Sequence, residues 1–399
     1  MIFGIIKEGK IPTDNRVALT PQQCKWILEN HKDISIKVQP SPSRCFPDKM
    51  YAAAGAQITD NLQDCDILLG IKEVPVDMLI PNKTYLFFSH TIKMQPYNQK
   101  LLQSILQQKI TLIDYECLEH QDGTRVIGFG FFAGIVGAHN GMYAYGKRSG
   151  SFHLDRINPN KGLNHLMHTY FGLKIPNLKI AITGTGRVGH GILEIMNLLG
   201  IHEVDADEFV EKSFSYPVYV HLKGNDLYER KDGKPYQRDD FHAHPEKYKN
   251  KFLKFLPHTD ILMNGIFWQA GIPRLFERED LQNPDFKIQT IADITDDKYG
   301  SVPCNLGDSS IEDPVYGVNK QSFEKTEPYL PGSVDVMAVG NLPNELPRDA
   351  SQYFGEQMIK FILPDLLKGN STMIDQATIA SDGKLTPRYQ YLEKFANGE

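Results

Sequence analysis

Two side chains in this sequence have types and positions suited to acid–base chemistry. Lys72 follows the apolar run Asp66–Gly70, and His90 follows the apolar run Thr84–Phe88. Burial and nearby cations both disfavour an ammonium ion, so a lysine in a cleft can act as a base near neutral pH. Ligands of open α/β sheets bind beyond the carboxyl ends of the strands. If both runs are strands, Lys72 and His90 are expected to converge on one crevice, together with Arg16.

A plainer interpretation of these residues is structural. Most lysines are solvated, many histidines only pack, and Lys72 and His90 could each pair with a nearby acid such as Glu73 or Glu116. Such pairs would contribute to stability and leave turnover unaffected. The residue pattern alone leaves both interpretations open.

A glycine-rich motif with the spacing G-x-G-x-x-G runs from Gly184 to Gly189. It lies between the strand-like segment Lys179–Thr183 and the helix-like segment Val188–Leu199. In this context the glycines permit a tight turn, the approach of a pyrophosphate and close packing of helix on strand. The N–H groups at the start of the helix attract phosphate. The predicted cofactor-binding residues of the turn are Gly184, Gly186, Arg187, Val188 and Gly189.

An acidic residue about 20 positions after this motif is expected to bind the ribose hydroxyls of a dinucleotide. Asp205 stands there, after the strand-like segment Ile201–Val204, and Asp207 is the second choice. A carboxylate repels the 2′-phosphate of NADP, so Asp205 predicts NAD as the cofactor. Glycine-rich turns also occur in flavodoxin-like domains without dinucleotides, which is the alternative.

The first 130 residues alternate short β-rich runs with helix-like segments, which favours a parallel α/β sheet with crossover helices. The helix predicted at Pro21–Asn30 follows an N-capping Thr20, and apolar residues recur at helical spacing in Gln95–Gln108. The predicted strands of this region are Phe3–Ile6, Ser35–Val38, Asp66–Gly70, Thr84–Phe88 and Ile110–Ile113.

The rest of the chain predicts a second α/β unit and a return to the first. The polar segment from Ser213 to Lys251 is interpreted as a solvated insertion in the second unit. The apolar face of Ser351–Leu367 needs a partner and is expected to pack on the first domain. We therefore expect two doubly wound parallel-sheet domains with an active-site cleft between them. The substrate domain would comprise residues 1–132 and 345–399, and the nucleotide-binding domain residues 133–344.

Composition excludes several other classes of protein. The formal net charge of −6 gives no basic footprint for nucleic acid, and no apolar run approaches the roughly 20 residues needed to span a bilayer. The five cysteines include no C-x-x-C pair, which argues against a disulfide scaffold and an ordinary zinc site. We expect a cytoplasmic protein with a small-molecule substrate and no metal, and the oligomeric state stays open.

Several segments of the chain resemble the alanine dehydrogenase and pyridine-nucleotide transhydrogenase superfamily: KEGKIPTDNRVALTP, GIKEVP, FFSH and GTGRVG. Two others, YECLEHQDGTRVIGFGFFAGIVGA and NLPNELPRDAS, are similar to its NAD-dependent, lysine-forming saccharopine dehydrogenase branch. The resemblance covers nearly the whole chain in the same order. It implies two Rossmann-like domains and NAD-dependent oxidation of an amino acid or an opine.

The resemblance also implies a role for individual residues. Lys72 and His90 match the acid–base pair of the superfamily, and Arg16 matches the arginine that binds a substrate carboxylate. Glu116 and Arg125 match an acid and an arginine that line the site in the saccharopine branch. Amine oxidation requires a hydride acceptor and a base for the proton on nitrogen, and water then hydrolyses the imine to an amine and a 2-oxo acid.

One departure from the branch concerns the substrate. The branch carries a D-H-L-P or D-N-L-P element, whereas this chain has Gly340 before Asn341-Leu342-Pro343. A neighbouring acid such as Asp335 could supply the missing carboxylate, or the substrate or the activity could differ. The leading hypothesis is oxidation of saccharopine to L-lysine and 2-oxoglutarate. The alternatives are an alanine dehydrogenase and an NAD(H)-binding regulatory homologue without turnover.

Overall fold

The computed structural model describes residues 1–398, which form two compact units. Unit one comprises residues 1–129 and 347–398, and unit two comprises residues 130–346. Each unit is built on its own large, mostly parallel sheet with eight strands. The expected fold class, two Rossmann-like α/β domains, is confirmed. None of the helices in the described residues is long and apolar enough to cross a membrane.

The strands within residues 1–398 are, in chain order, β1 (Ile2–Ile5), β2 (Ser35–Val38), β3 (Gln57–Ile58), β4 (Ile67–Leu69), β5 (Thr84–Phe87), β6 (Thr111–Asp114), β7 (Lys179–Thr183), β8 (His202–Glu203), β9 (Val218–Leu222), β10 (Tyr228–Arg230), β11 (Tyr248–Asn250), β12 (Ile261–Asn264), β13 (Thr290–Asp293), β14 (Val315–Asn319), β15 (Lys325–Thr326), β16 (Ser333–Met337), β17 (Thr378–Ser381) and β18 (Lys384–Leu385).

The α-helices are α1 (Pro21–Asn30), α2 (Asp48–Ala53), α3 (Gln99–Gln107), α4 (Gly130–Ser149), α5 (Gly162–Tyr170), α6 (Arg187–Leu198), α7 (Ala206–Glu211), α8 (Gly224–Leu227), α9 (Arg238–Ala243), α10 (Pro347–Gln357), α11 (Leu363–Lys368), α12 (Thr372–Ala377) and α13 (Glu393–Asn397). Short 3₁₀ helices span Val76–Met78, Thr91–Lys93, Pro96–Asn98, Tyr115–Cys117, Pro245–Lys247, Phe252–His258, Arg278–Gln282, Leu342–Glu345 and Pro387–Leu392.

The sheet of unit one has the strand order β18-β17-β6-β5-β4-β1-β2-β3. In this order, the six strands from β6 to β3 run parallel to one another. Strand β17 is antiparallel to β6, and β18 is antiparallel to β17. The strands predicted in this region are confirmed to within one residue at each end. Thr20 caps α1 as expected, because its hydroxyl accepts from the Gln23 N–H while the Gln23 side chain accepts from the Thr20 N–H.

The segment after Pro347 belongs to the core of unit one. Phe354 and Met358 are buried in that core, and the Phe354 ring stacks on Phe129 with the ring centroids 4.6 Å apart. The expected single helix is interrupted by a π-helical turn at Met358–Ile362. This turn precedes Pro364, whose ring removes a backbone donor and clashes with the preceding helical turn.

The sheet of unit two has the strand order β15-β14-β16-β13-β12-β7-β9-β8. In this order, the six strands from β16 to β8 run parallel to one another. Strand β14 is antiparallel to β16, and β15 is antiparallel to β14. The segment from Ser213 to Lys251 is not only a solvated insertion, because it contains β9, which pairs directly with β7. The remainder of the segment forms the short β10–β11 hairpin and helices α8 and α9.

Candidate active site

The predicted acid–base residues follow adjacent parallel strands of unit one. Lys72 lies three residues after β4, and His90 lies three residues after β5, which pairs with β4 in register. Strand β1 pairs with the other side of β4 and leads to the loop that carries Arg16. The structure thus brings the residues expected at one crevice to the same edge of a single sheet.

The backbone of Lys72 is fixed by the carboxylate of Glu8. The two oxygens of Glu8 accept from the N–H groups of Ile71 and Lys72, at 2.7 and 2.9 Å. Burial and the charge of Asp14 raise the pKa of Glu8 to about 7. Glu8 was not among the predicted site residues, although it follows Lys7 in the same loop as Arg16.

The side chain of Lys72 is half-buried, and no carboxylate within residues 1–398 forms an ion pair with it. Burial and then the positive charge of Arg16 lower its pKa to about 8. This is the direction that the sequence predicted, for the same two causes. Lys72 therefore does not have the acidic partner that the structural interpretation required.

His90, in contrast, does have an acidic partner. Its Nδ1 lies 2.7 Å from Glu73 Oε1, and Lys10 Nζ lies 2.7 Å from the other oxygen of the same carboxylate. Burial would raise the pKa of Glu73, but the hydrogen bond from His90 and the one from Lys10 lower it to about 2. Because a carboxylate only accepts, Nδ1 carries the proton, and Nε2 is left to exchange a proton with a ligand.

Arg16 is buried, with 2% of its surface exposed, and is held by Asp14. Its Nε and Nη2 atoms donate to the two carboxylate oxygens of Asp14 at 2.9 and 2.5 Å. The guanidinium carbon lies 4.1 Å from the centre of the Phe129 ring. Burial would raise the pKa of Asp14, but the charge of Arg16 holds it well below its usual range. Asp14 is a second residue that the sequence did not single out.

Glu116 and Arg125 also lie together in unit one, after β6. Arg125 Nη2 donates to Glu116 Oε1 at 2.9 Å, and Lys93 Nζ lies 3.5 Å from the same oxygen. The second oxygen, Glu116 Oε2, is buried and accepts no hydrogen bond from the described residues. A buried carboxylate oxygen without a donor is rare in proteins, which marks this position as a candidate contact for a ligand.

The glycine-rich turn of unit two has the geometry of a phosphate-binding turn. Gly184 has a φ of +96°, and a Cβ on Gly189 would lie 2.0 Å from the Gly184 carbonyl oxygen. At Gly186, by contrast, a Cβ would meet no atom within 4 Å. Arg187 and Val188 are the first residues of α6, so the N–H groups at the start of that helix face this open space. The turn fits a dinucleotide.

Asp205 follows a strand that does not lie beside β7. The strand beside β7 is β9, and β8 lies one strand further out at the edge of the sheet. Asp205 follows β8, and its carboxylate caps α7 by accepting from the Glu208 N–H at 2.8 Å. In the order typical of dinucleotide-binding sheets, the ribose contact follows the strand next to the first one. Here that strand is β9, and Lys223 and Asp226 follow it.

The neighbourhood of Gly340 also differs from the expectation. Asp335 is buried and accepts hydrogen bonds from Arg148 Nη1, at 2.9 Å, and from the Tyr329 N–H. It therefore does not replace a carboxylate at position 340. The acids that face Gly340 are Asp296 and Asp308. A Cβ on Gly340 would lie 2.8 Å from Asp296 Oδ2 and 3.2 Å from Asp308 Oδ2.

No group of three or more His, Cys, Asp or Glu side chains within residues 1–398 is arranged to hold a metal ion. Several buried acids of unit two are hydrogen-bonded to protein instead. Asp293, for example, accepts from Asn264, Thr295 and Asn305 at 2.7 to 2.9 Å.

Comparison with known proteins agrees with this fold. The family described as "Alanine dehydrogenase/PNT, N-terminal domain" matches residues 4–136. Two solved structures share the fold over nearly the full length of both chains. An L-alanine dehydrogenase has 17% identity and a TM-score of 0.67, over 98% of this chain and 99% of that one. A transhydrogenase from Sinorhizobium meliloti has 14% identity and a TM-score of 0.59, over 97% and 99%.

Curated proteins give higher identities. The chain is 30% identical, over 99% of its length, to alpha-aminoadipic semialdehyde synthase from Arabidopsis thaliana and to the mitochondrial protein of that name from Mus musculus. It spans only 41% and 48% of the length of those relatives. It is 26% identical to the saccharopine dehydrogenase (NAD⁺, L-lysine-forming) of Candida glabrata, over 87% of each protein.

Fold and site together define a protein with two Rossmann-like domains, one with a cluster of charged residues at its strand ends and the other with a dinucleotide-type turn. The comparisons support a relationship to the alanine dehydrogenase and pyridine-nucleotide transhydrogenase superfamily and, within it, to saccharopine dehydrogenase.

Proposed function

We propose that this chain is an NAD-dependent oxidoreductase that oxidises the CH–NH bond of saccharopine, giving L-lysine and 2-oxoglutarate. The observation that carries the proposal is the pairing of Lys72, which is half-buried and has no ion-pair partner within residues 1–398, with His90 on the adjacent strand end. Unit one would bind the substrate and unit two the cofactor. The cofactor, when bound, accepts the hydride.

Residues of unit one carry out the proton transfers and bind the substrate. Lys72, with its pKa lowered to about 8 by burial and by Arg16, accepts the proton from the substrate nitrogen. His90 is oriented by Glu73 through Nδ1, so that its Nε2 exchanges protons as water attacks the imine carbon. Arg16, positioned by Asp14, binds a substrate carboxylate. The unbonded Glu116 Oε2 accepts from a substrate amino group.

The number of cationic groups supports saccharopine over alanine as substrate. Saccharopine carries three carboxylates and alanine one, and unit one offers Lys93 and Arg125 near Glu116 in addition to Arg16. The preference for NAD rests on the name of the saccharopine dehydrogenase relative. It does not rest on Asp205, and Lys223 after β9 is a cation of the kind that accommodates a 2′-phosphate. Both cofactors therefore belong in the test.

The test is a turnover assay with purified protein. In the forward direction, the protein is assayed with saccharopine, alanine and other amino acids, each with NAD⁺ and with NADP⁺. In the reverse direction, it is assayed with lysine, 2-oxoglutarate and each reduced cofactor. The absorbance of the reduced nicotinamide is followed. We expect turnover with saccharopine and NAD⁺. Turnover with alanine alone would contradict the substrate, and no turnover in either direction would favour the regulatory alternative.

The pH dependence of kcat/KM should reflect the ionisation of Lys72. For saccharopine oxidation, kcat/KM is expected to rise with pH through about 8, because only the neutral amine of Lys72 accepts a proton. Lys10 adds a positive charge that lowers the pKa of Lys72, so Lys10→Gln should move this limb to higher pH. The limb should be absent from the residual activity of Lys72→Met. A limb near pH 8 that persists in Lys72→Met would assign it to another group.

Substitution of Arg16 should act mainly on substrate binding. Arg16→Ala would remove the guanidinium that holds the buried Asp14 carboxylate, and breaking a buried ion pair typically costs about 3–5 kcal/mol of stability. Arg16→Lys keeps the positive charge and is the better probe. We expect it to raise the KM for saccharopine by about 10- to 100-fold, because the planar, two-donor contact with a carboxylate is lost. Arg388→Lys, at the exposed pair with Glu119, is the matched control. A KM change equal in both variants would contradict the assignment.

A further inference from the structure

The carboxyl edge of the second sheet brings two acidic side chains over a glycine. Asp296 lies three residues after the end of β13, and Gly340 lies three residues after the end of β16, the strand that pairs with β13. The segment that carries Asp308 runs alongside the residues before Gly340, since the Ser309 N–H donates to the Ala338 carbonyl at 2.7 Å. Both carboxylates reach the space that a side chain at position 340 would fill.

This convergence depends on residue 340 being a glycine. The nearest atom to a Cβ at that position is Asp296 Oδ2, at 2.8 Å, which is closer than real Cβ contacts. A side chain at position 340 and the present conformation of Asp296 therefore exclude each other. In the branch that this chain resembles, the same position of the motif carries an aspartate, and in this chain two aspartates face the space that its side chain would fill.

The other acids of this region already have hydrogen-bond or ion-pair partners in the protein. Asp293 accepts three side-chain hydrogen bonds, and Asp335 is paired with Arg148. Asp296 differs, because its Oδ1 is buried and accepts no hydrogen bond from the described residues. Burial and the charges of Asp308 and Asp293 raise the pKa of Asp296 to about 8. A carboxyl group in this state has hydrogen-bonding capacity that the protein does not satisfy.

We propose that Asp296, for which Gly340 leaves room, takes the place of the aspartate that the resemblance predicts at position 340, and that it binds an N–H group of the reacting ligands. This inference rests on the proposed function. The ligand edge of an open α/β sheet lies beyond the carboxyl ends of its strands, where Asp296 stands. Two ligands present the required chemistry there: the carboxamide of a nicotinamide cofactor and the amino group of the substrate.

The experiment moves the carboxyl group between the two positions. Asp296→Asn keeps the shape of the side chain, Asp296→Gly removes it, and the double variant Asp296→Gly/Gly340→Asp places the carboxylate at position 340. Asp313→Asn, an exposed acid of the same unit, is the matched control. For each variant, the melting temperature, kcat, both KM values and the dissociation constant of NADH from its fluorescence are measured.

We expect Asp296→Asn to lower kcat/KM by about 10- to 100-fold at pH values above 8, where Asp296 is ionised, because a hydrogen bond to a charged group is replaced by a weaker one to an amide oxygen. The melting temperature should not fall, since a repulsion between acids is removed. The double variant should recover at least tenfold of the activity lost in Asp296→Gly. A change confined to NADH identifies the carboxamide as the contact, and a change confined to the substrate KM identifies the amino group.

Two results would overturn the proposal: an Asp296→Asn variant within twofold of the unchanged chain in all these constants, or a double variant no more active than Asp296→Gly. Absence of turnover in the unchanged chain is a separate outcome, since it contradicts the proposed function. In that case the dissociation constants of NADH and of saccharopine, the latter by calorimetry, still decide whether Asp296 contacts either ligand.

Discussion

Replacing Lys72 by methionine or His90 by glutamine is expected to lower kcat for saccharopine oxidation by about 10²- to 10⁴-fold, the usual contribution of a general acid or base. Methionine has nearly the length of lysine without its amine, and glutamine can still donate to Glu73. Neither substitution leaves a buried carboxylate without a partner, because Lys72 has no ion pair within residues 1–398 and Glu73 keeps Lys10. The folded structure should therefore survive both changes.

The double variant separates a joint role from two independent ones. If Lys72 and His90 act as one acid–base unit, Lys72→Met/His90→Gln should be little slower than the slower single variant. Melting temperatures of all three proteins are measured beside kcat. A structural role predicts lower melting temperatures with turnover within a few-fold. An unchanged kcat in Lys72→Met would end the mechanism proposed here.

The strands that position these residues were predictable because they are short, apolar and regularly punctuated. In unit one the five predicted strands and α1 appear where the sequence places them, whereas β3, β17 and β18 were not predicted, and Thr20 caps α1 as expected. The positions of Lys72 and His90 then follow from parallel pairing alone, since the carboxyl ends of adjacent parallel strands share one edge. Local pattern and topology agree here.

The partners of these residues were harder to predict. Glu8 and Asp14 contact Lys72 and Arg16 through loops whose course follows from packing and not from local pattern. Glu73 was foreseen only as an acid that would make His90 structural. Its position next to Lys72 in the chain is the signal that could have identified it, because successive loop residues at a strand end both reach the same edge.

The choice of Asp205 as the ribose contact depended on an assumed order of strands. The polar run that follows β9 dominates the composition of residues 213–251, and it conceals the buried strand Val218–Leu222. Without that strand, β8 is the natural candidate for the position beside β7. The count of about 20 residues from the glycine motif then leads to Asp205. The position of a strand in a sheet depends on long-range pairing, which spacing along the chain does not determine.

Replacing Gly186 by valine is expected to abolish cofactor binding while the protein still folds. The φ of Gly186 is −88°, which any residue adopts, and a Cβ there meets no protein atom within 4 Å. The new side chain would instead fill the space in front of α6, where the pyrophosphate approaches the backbone. Titration of NADH by fluorescence should show no saturation at concentrations that saturate the unchanged chain, and the melting temperature should stay within a few degrees.

Gly189→Val is the matched control, since it adds the same side chain three residues further on in the same motif. A Cβ at this position would lie 2.0 Å from the Gly184 carbonyl oxygen, a backbone atom that cannot move away without opening the turn. Overpacking of this kind typically costs about 1–3 kcal/mol, so Gly189→Val should lose stability along with NADH binding. If Gly186→Val binds NADH as tightly as the unchanged chain, the phosphates do not lie at this turn, and the cofactor must be held elsewhere in the sheet.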